Sequence, residues 1–258
     1  SWKMASSHGR IFVLNRDNAK ESTGHGSPLP TLMHGGPGRA GGGEEMGGLN
    51  GLPFFLQKTA IQGSPDILTA ITQIYQTGAT QNFSDKHPFR SYFEEVEIGD
   101  SLETAGRTVT EADIVNFSNV SWDHFYAHTD ATSLNGTIFD KTVAHGYFIL
   151  SAAAGLFVSG KKGPVIANYG LENANFFKPV YAGDTITVYL TAKEKINKGV
   201  KGRNIPSGVV KWLVEVVNQR EETVCVATIL TLVAKKSPFI KIDYKDFTKR
   251  LQLLNKET

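Results

Sequence analysis

Asp123 and His128, five residues apart in DHFYAH, are the first side chains in this 258-residue sequence whose types and spacing could move a proton to and from one small molecule. Adding water to a carbon–carbon double bond conjugated to a thioester needs a base for the water, an acid for Cα and a donor for the enolate oxygen. The aspartate and the histidine can supply the first two if a loop aims both at one water. On a solvated loop the same residues would be inert, so their surroundings decide. Further on, Ala144-His145-Gly146 opens a long apolar run. A helix N-terminus presents free N–H groups and the positive end of a dipole, and Gly146 has no side chain to shield its N–H from a thioester oxygen. That is an oxyanion site in outline. His145 itself reads as a helix-capping or core histidine in preference to a catalytic one.

These residues need elements to hold them. Thr110-Glu111-Ala112-Asp113 predicts a helix opened by a capping box, with Ile114, Val115 and Phe117 on its apolar face, running into Ser121-Trp122-Asp123. Tyr147–Val158 is apolar on every side, which predicts a buried helix, and its small residues Ser151 to Gly155 let a sheet wrap closely. Strands are expected at 164–177, 184–196, 208–219 and 223–235. In the second of them Ile186, Val188 and Leu190 alternate with Thr185, Thr187 and Tyr189, as in a strand with one dry face. The last two share the turn Asn218–Glu222 and are apolar on both parities, so the helix is expected to cover one face and a partner subunit the other. Phe93–Asp100 reads as an opening strand and turn. A long helix set between early and late strands argues an α+β fold, an antiparallel sheet curled about that helix.

The N-terminal third has a different texture. Arg10–Asn15 reads as a short strand, and His34–Gly51 holds nine glycines, which suits an irregular loop. No Gly-Lys-Ser/Thr follows, so it is not a P-loop. Ser64-Pro65-Asp66, ahead of Ile67, Leu68, Ile71 and Ile74, predicts a helix with proline in its first turn. The polar stretch Thr77–His87 then marks a boundary, giving a first segment 1–80, a linker 81–89, a main domain 90–236 and a tail 237–258 in which Asp243–Lys256 has helical spacing. The chain opens at Ser1-Trp2-Lys3 without a methionine and reads as a fragment of a longer protein.

Composition narrows the function classes. Lys+Arg 27 against Asp+Glu 25 leaves a net charge of +2, too balanced for a nucleic-acid backbone reader. No apolar stretch is long enough to span a bilayer and no secretion signal is present, so a cytoplasmic protein that binds no membrane is expected. The single cysteine, Cys225, lies between Val224 and Val226 and reads as a buried strand thiol. No metal-ligand spacing stands out.

DHFYAH, VAHGYF and FFKPVYAGD (Phe176–Asp184) together resemble the MaoC-type, R-specific enoyl-CoA hydratases, in which an Asp and a His five apart precede a His-Gly helix start. The resemblance implies a hot-dog fold, Asp123 and His128 as the catalytic pair, Gly146 as the oxyanion donor, an acyl-CoA thioester as substrate and a homo-oligomer built from hot-dog dimers. No cofactor is implied, coenzyme A being part of the substrate; Lys178, Lys198, Lys201 and Arg203 are candidates for its nucleotide. The family commonly has Gly-Asp-x-Asn-Pro-x-His, whereas here Trp122 precedes the Asp and Phe125-Tyr126 replace Asn-Pro, which bears on substrate choice. GGPGRAGGGEEMGGLNG resembles the C-terminal Gly-rich loop of aldehyde dehydrogenases, so residues 1–80 are expected to be the remnant of an α/β aldehyde dehydrogenase domain, inactive here, with NADP belonging only to the missing part. Together the two segments resemble bifunctional enzymes of aerobic phenylacetate breakdown that open oxepin-CoA. The alternatives are a generic R-specific enoyl-CoA hydratase and a non-catalytic oligomerisation module; a hot-dog thioesterase fits less well, because it would lack the Asp-to-His spacing with the His-Gly start.

Overall fold

The computed structural model describes residues 60–198 and 205–236. In chain order the elements are α1 (Pro65–Thr72), β1 (Asn82–Phe83), β2 (Asp100–Glu103), β3 (Arg107–Thr108), α2 (Glu111–Ser121), α3 (Tyr126–Thr129), α4 (Gly146–Phe157), β4 (Val165–Phe176), β5 (Thr185–Asn197), β6 (Ser207–Asn218) and β7 (Thr223–Ala234). The strand proposed at 10–15, the Gly-rich loop and the tail helix at 243–256 lie outside the described residues. None of the described helices is long and apolar enough to cross a membrane.

Alternation makes the sheet. Ile186, Val188 and Leu190 are fully buried on one face of β5, and across the antiparallel ladder Val188 meets Val216 and Leu190 meets Val214. Branched side chains opposite one another on a dry face are the main stabilising unit of such a sheet. The order is β1-β2-β5-β6-β7-β4, with β3 pairing the start of β5; all pairs are antiparallel except β1 with β2. Residues of the inner parity on β5, β6 and β7 form one core with Phe148, Ile149, Ala153 and Phe157 of α4. Trp212 is fully buried there, and its indole N–H donates to Thr231 Oγ1 at 2.8 Å, so the burial leaves no orphan donor. This is the hot-dog arrangement expected from the sequence.

Four expectations need correction. Helix α4 is buried on one stripe only: Tyr147 is 71% and Val158 54% exposed, and the small residues Ser151, Ala154 and Gly155 face outward. The apolar outer face of β6 is covered by its own chain, since Leu213 packs on Tyr75 and Ala79 and the Tyr75 N–H donates to the Lys193 carbonyl at 2.8 Å. That strap also moves the boundary: the chain divides between Ile61 and Gln62, so α1 and the polar stretch after it belong with the sheet. Finally, residues 93–99 form turns in place of a strand, because the Val96 N–H turns back to the Tyr92 carbonyl and Gly99 sits at φ +95°. Phe93 instead folds over the start of β6, its ring filling the space that a Cβ on Gly208 would need.

Cys225 faces the core at 0% exposure, and burial pushes its thiol up to about 11. A thiolate is the reactive species, so native protein at pH 8 should resist Ellman's reagent and label only as fast as it unfolds in urea. Stoichiometric labelling within seconds in buffer would contradict the burial.

Candidate active site at the start of the central helix

Helix α2 delivers the aspartate. Thr110 caps it with the full reciprocal box, its side chain accepting from the Asp113 N–H while Asp113 accepts from the Thr110 N–H. The helix ends at Trp122, a bulky residue held in the left-handed conformation at φ 64°. Such a conformation costs on the order of 1–2 kcal/mol outside glycine, and here it turns the chain sharply so that Asp123 leaves the helix end at once. The Asp123 carboxylate accepts the Phe125 N–H at 3.2 Å, and its own N–H donates to Ser121 Oγ at 3.3 Å.

Helix α3 carries the histidine. The Ala127 carbonyl accepts the Val143 N–H at 3.0 Å, and the Val143 carbonyl accepts from His128 Nδ1 at 2.7 Å. A carbonyl can only accept, so Nδ1 bears the hydrogen and Nε2 of the neutral ring keeps its lone pair. Val143 lies three residues before α4, which ties the His128 ring to the entrance of that helix.

The third part is the helix start itself. His145 is the N-cap of α4 with no side-chain capping bond, and Gly146 is its first residue, where the N–H has no partner within the helix. A Cβ on Gly146 would lie 2.7–3.0 Å from the Phe176 ring, so the position accepts only glycine while that ring stays in place. Phe176, at the end of β4, opens the FFKPVYAGD motif but was given no place in the site from the sequence; that place follows from the fold bringing a distant strand over the helix start. His128 and Gly146 line one cleft of about 400 Å³ whose walls include Phe125, Ile138, Phe139 and Phe176. The cleft pairs a few polar groups with apolar walls, as small-molecule sites do.

His145 lies between the pair. It is 1% exposed, its ring stacks on that of His128 at 3.7 Å between centroids and 26° between planes, and its Nε2 lies 3.0 Å from the Asp123 carbonyl and 3.2 Å from Ser118 Oγ. Its Nδ1 is buried without a hydrogen-bond partner among the described residues. Burial holds the His145 pKa below its usual 6.5; the Asp123 carbonyl opposes that shift and the nearby His128 adds to it. Asp123, His128 and His145 can each present one donor atom within 4.8 Å of the others. Stacked rings, however, direct their in-plane lone pairs side by side and do not converge them on one ion.

Of the three residues singled out from the sequence, the structure brings Asp123 within 4.8 Å of His128 and sets His128 and Gly146 along one cleft. The basic residues fare differently. Lys178 pairs with Glu222, Lys198 bonds Tyr169, and Lys201 and Arg203 lie outside the described residues.

Residues 94–212 match the family model described as MaoC like domain. Protein MaoC of Klebsiella aerogenes is 59% identical over 194 residues, 75% of this chain and 58% of that protein, so the chain spans little more than half the length of this relative. The (R)-specific enoyl-CoA hydratase of Rhodospirillum rubrum is 34% identical over 103 residues, 39% of this chain and 68% of that protein. Among solved structures, the monoamine oxidase regulatory protein of Archaeoglobus fulgidus is 36% identical with a TM-score of 0.53, covering 61% of this chain and 99% of that one.

Because the folded-state pKa of His145 lies below its unfolded value, the unfolded chain binds protons first on acidification, and stability rises with pH through this window. The contribution is fully present above about pH 6.5 and is lost as pH falls below it. Urea midpoints measured from pH 8 to 5 should therefore fall, and fall less in His145→Phe. Equal slopes in the two proteins would show that His145 charges freely in the fold.

Proposed function

The chain belongs to the MaoC-like domain family, and from that premise we propose that it adds water to an unsaturated or enol-ether coenzyme A thioester. The observation that carries this reading is that His128 and the helix-start N–H of Gly146 face one apolar cleft while the Asp123 carboxylate comes within 4.8 Å of a His128 ring nitrogen. Asp123 acts as the base on the water. His128, whose Nε2 is free to accept, orients that water and shuttles the proton. The Gly146 N–H holds the thioester oxygen as negative charge develops on it, where one preorganised donor is worth on the order of 10²–10³ in rate. The walls at Phe125, Ile138, Phe139 and Phe176 offer apolar surface that suits a compact unsaturated acyl group.

The finer reading is that this group is the seven-membered ring of oxepin-CoA. Water added to its enol ether gives a hemiacetal, which opens spontaneously to an aldehyde. An aldehyde dehydrogenase would be a fitting partner, and we assign the dehydrogenase-like remnant to residues 1–61, since 62–80 belong with the sheet. The second reading, a hydratase of short linear enoyl-CoA chains, is favoured by the similarity to the R. rubrum enzyme.

Two copies pair in the active form. What supports pairing is β4, the last strand of the sheet among the described residues, where Ile166, Leu171 and Phe176 are each 42–52% exposed. An edge of this length and apolarity invites another strand, and a partner laid there would wall the cleft beside Phe176. Sedimentation at micromolar concentration should show dimers or larger; a monomer would count against it.

Asp123→Asn should fold normally yet hydrate crotonyl-CoA and an oxepin-type thioester about 100-fold or more slowly, since removing a positioned acid or base typically costs 10²–10⁴. His128→Ala should behave alike, and the double variant should lose no more than about the larger single loss, because both act on one water. Wild-type rates in Asp123→Asn would end the assignment, and the preferred substrate separates the two readings.

A further inference from the structure

We propose that His145 is the positioning residue of the site, a neutral ring that clamps both members of the acid–base pair through one hydrogen bond and one stacked face. The inference rests on the hydratase reading above and adds a residue to it. Its basis is a hydrogen-bond count. Ser118 Oγ lies 3.1 Å from the Ile114 carbonyl one turn back and donates its only hydrogen there. Toward His145 the same oxygen can therefore only accept, and the Asp123 carbonyl can only accept as well. Two acceptors converge on Nε2, so Nε2 carries the hydrogen and shares it between them. The neutral ring has one N–H, which leaves Nδ1 as the buried, unpartnered lone pair.

This fixed tautomer has two consequences for the reaction. The N–H holds the Asp123 carbonyl at 3.0 Å, pinning the backbone of the base directly after the strained turn at Trp122. The ring face lies 3.7 Å from His128, whose other tie is the bond to Val143. When His128 takes a proton during the shuttle, a neutral aromatic face beside it accommodates the imidazolium, whereas a second cation would oppose it. His145 is also the residue immediately before Gly146, so the same side chain sets the phase of the oxyanion N–H against the pair. Alone among the described residues, His145 touches Asp123 and His128 and adjoins Gly146.

His145→Phe keeps the ring face and removes the N–H; His145→Gln restores a donor without the ring. With thermal midpoints within a few degrees of wild type, His145→Phe should lose at least tenfold in kcat with KM changed less than threefold, and His145→Gln should recover at least threefold over it. Wild-type kcat in His145→Phe, a loss expressed in KM, or no recovery in His145→Gln would each overturn the proposal. An independent arm needs no turnover: long-range ¹H–¹⁵N correlation on the wild type should show the Nε2–H tautomer of His145 from pH 8 to 6, and the opposite tautomer would refute the clamp even if a variant failed to fold. An inactive wild type with the expected tautomer would sink the hydratase reading while leaving the clamp standing.

Discussion

Packing of one stripe of α4 into the concave face of the sheet is the constraint on which the rest depends. Phe148, Ile149, Ala153 and Phe157 meet the inner residues of β5, β6 and β7 in a single core. Burying each large apolar side chain contributes about 1.5–3 kcal/mol, and close packing leaves α4 little freedom to slide or roll. Fixing the helix fixes its N-terminus. Gly146, the Phe176 ring pressed against it and the His145 side chain therefore hold their places because the far end of the same helix is locked.

Polar groups at that N-terminus are then arranged by elimination. Each carbonyl and hydroxyl around His145 and His128 has one role open to it: Val143 and Asp123 can only accept, and Ser118 has already donated to Ile114. Both imidazoles are left with determined tautomers, one exposing its Nε2 lone pair at the cleft and one hiding Nδ1 in the core. Burial of His145 keeps it neutral, which is what lets two histidine rings stack at 3.7 Å. An orphaned buried nitrogen is a cost of order 1–3 kcal/mol. Sites that must hold two ionisable rings together commonly carry such a cost.

The sheet carries two different kinds of face. The inner parity is closed by α4 and part of the outer by the strap at Tyr75 and Ala79, while β4 is the last strand among the described residues and carries exposed apolar side chains. The open surface and the candidate cleft share Phe176, so whatever covers β4 would also shape the space where substrate sits.

Much of this was legible in the residues. Apolar patterning, alternating at Ile186, Val188 and Leu190 and continuous in the last two strands, is a property of the chain alone, and the four long strands are found within a residue or so of where it is read. The capping box at Thr110 and Asp113 and the Ser64-Pro65 helix start are likewise local, set by hydrogen bonds spanning three residues. Asp123, His128 and Gly146 could be singled out because their chemistry is written in residue type and short spacing. What the residues alone did not determine came from contacts between distant segments. Whether the second apolar face of β6 meets a partner or Tyr75 depends on a strap more than a hundred residues away. Whether His145 merely fills the core or holds the site depends on Ser118, Asp123 and His128 arriving from two other helices and the turn between them. Local pattern fixes which side chains are dry or wet; only the packed helix decides which polar atoms face one another, because hydrogen-bond roles are settled by the neighbours that tertiary structure supplies.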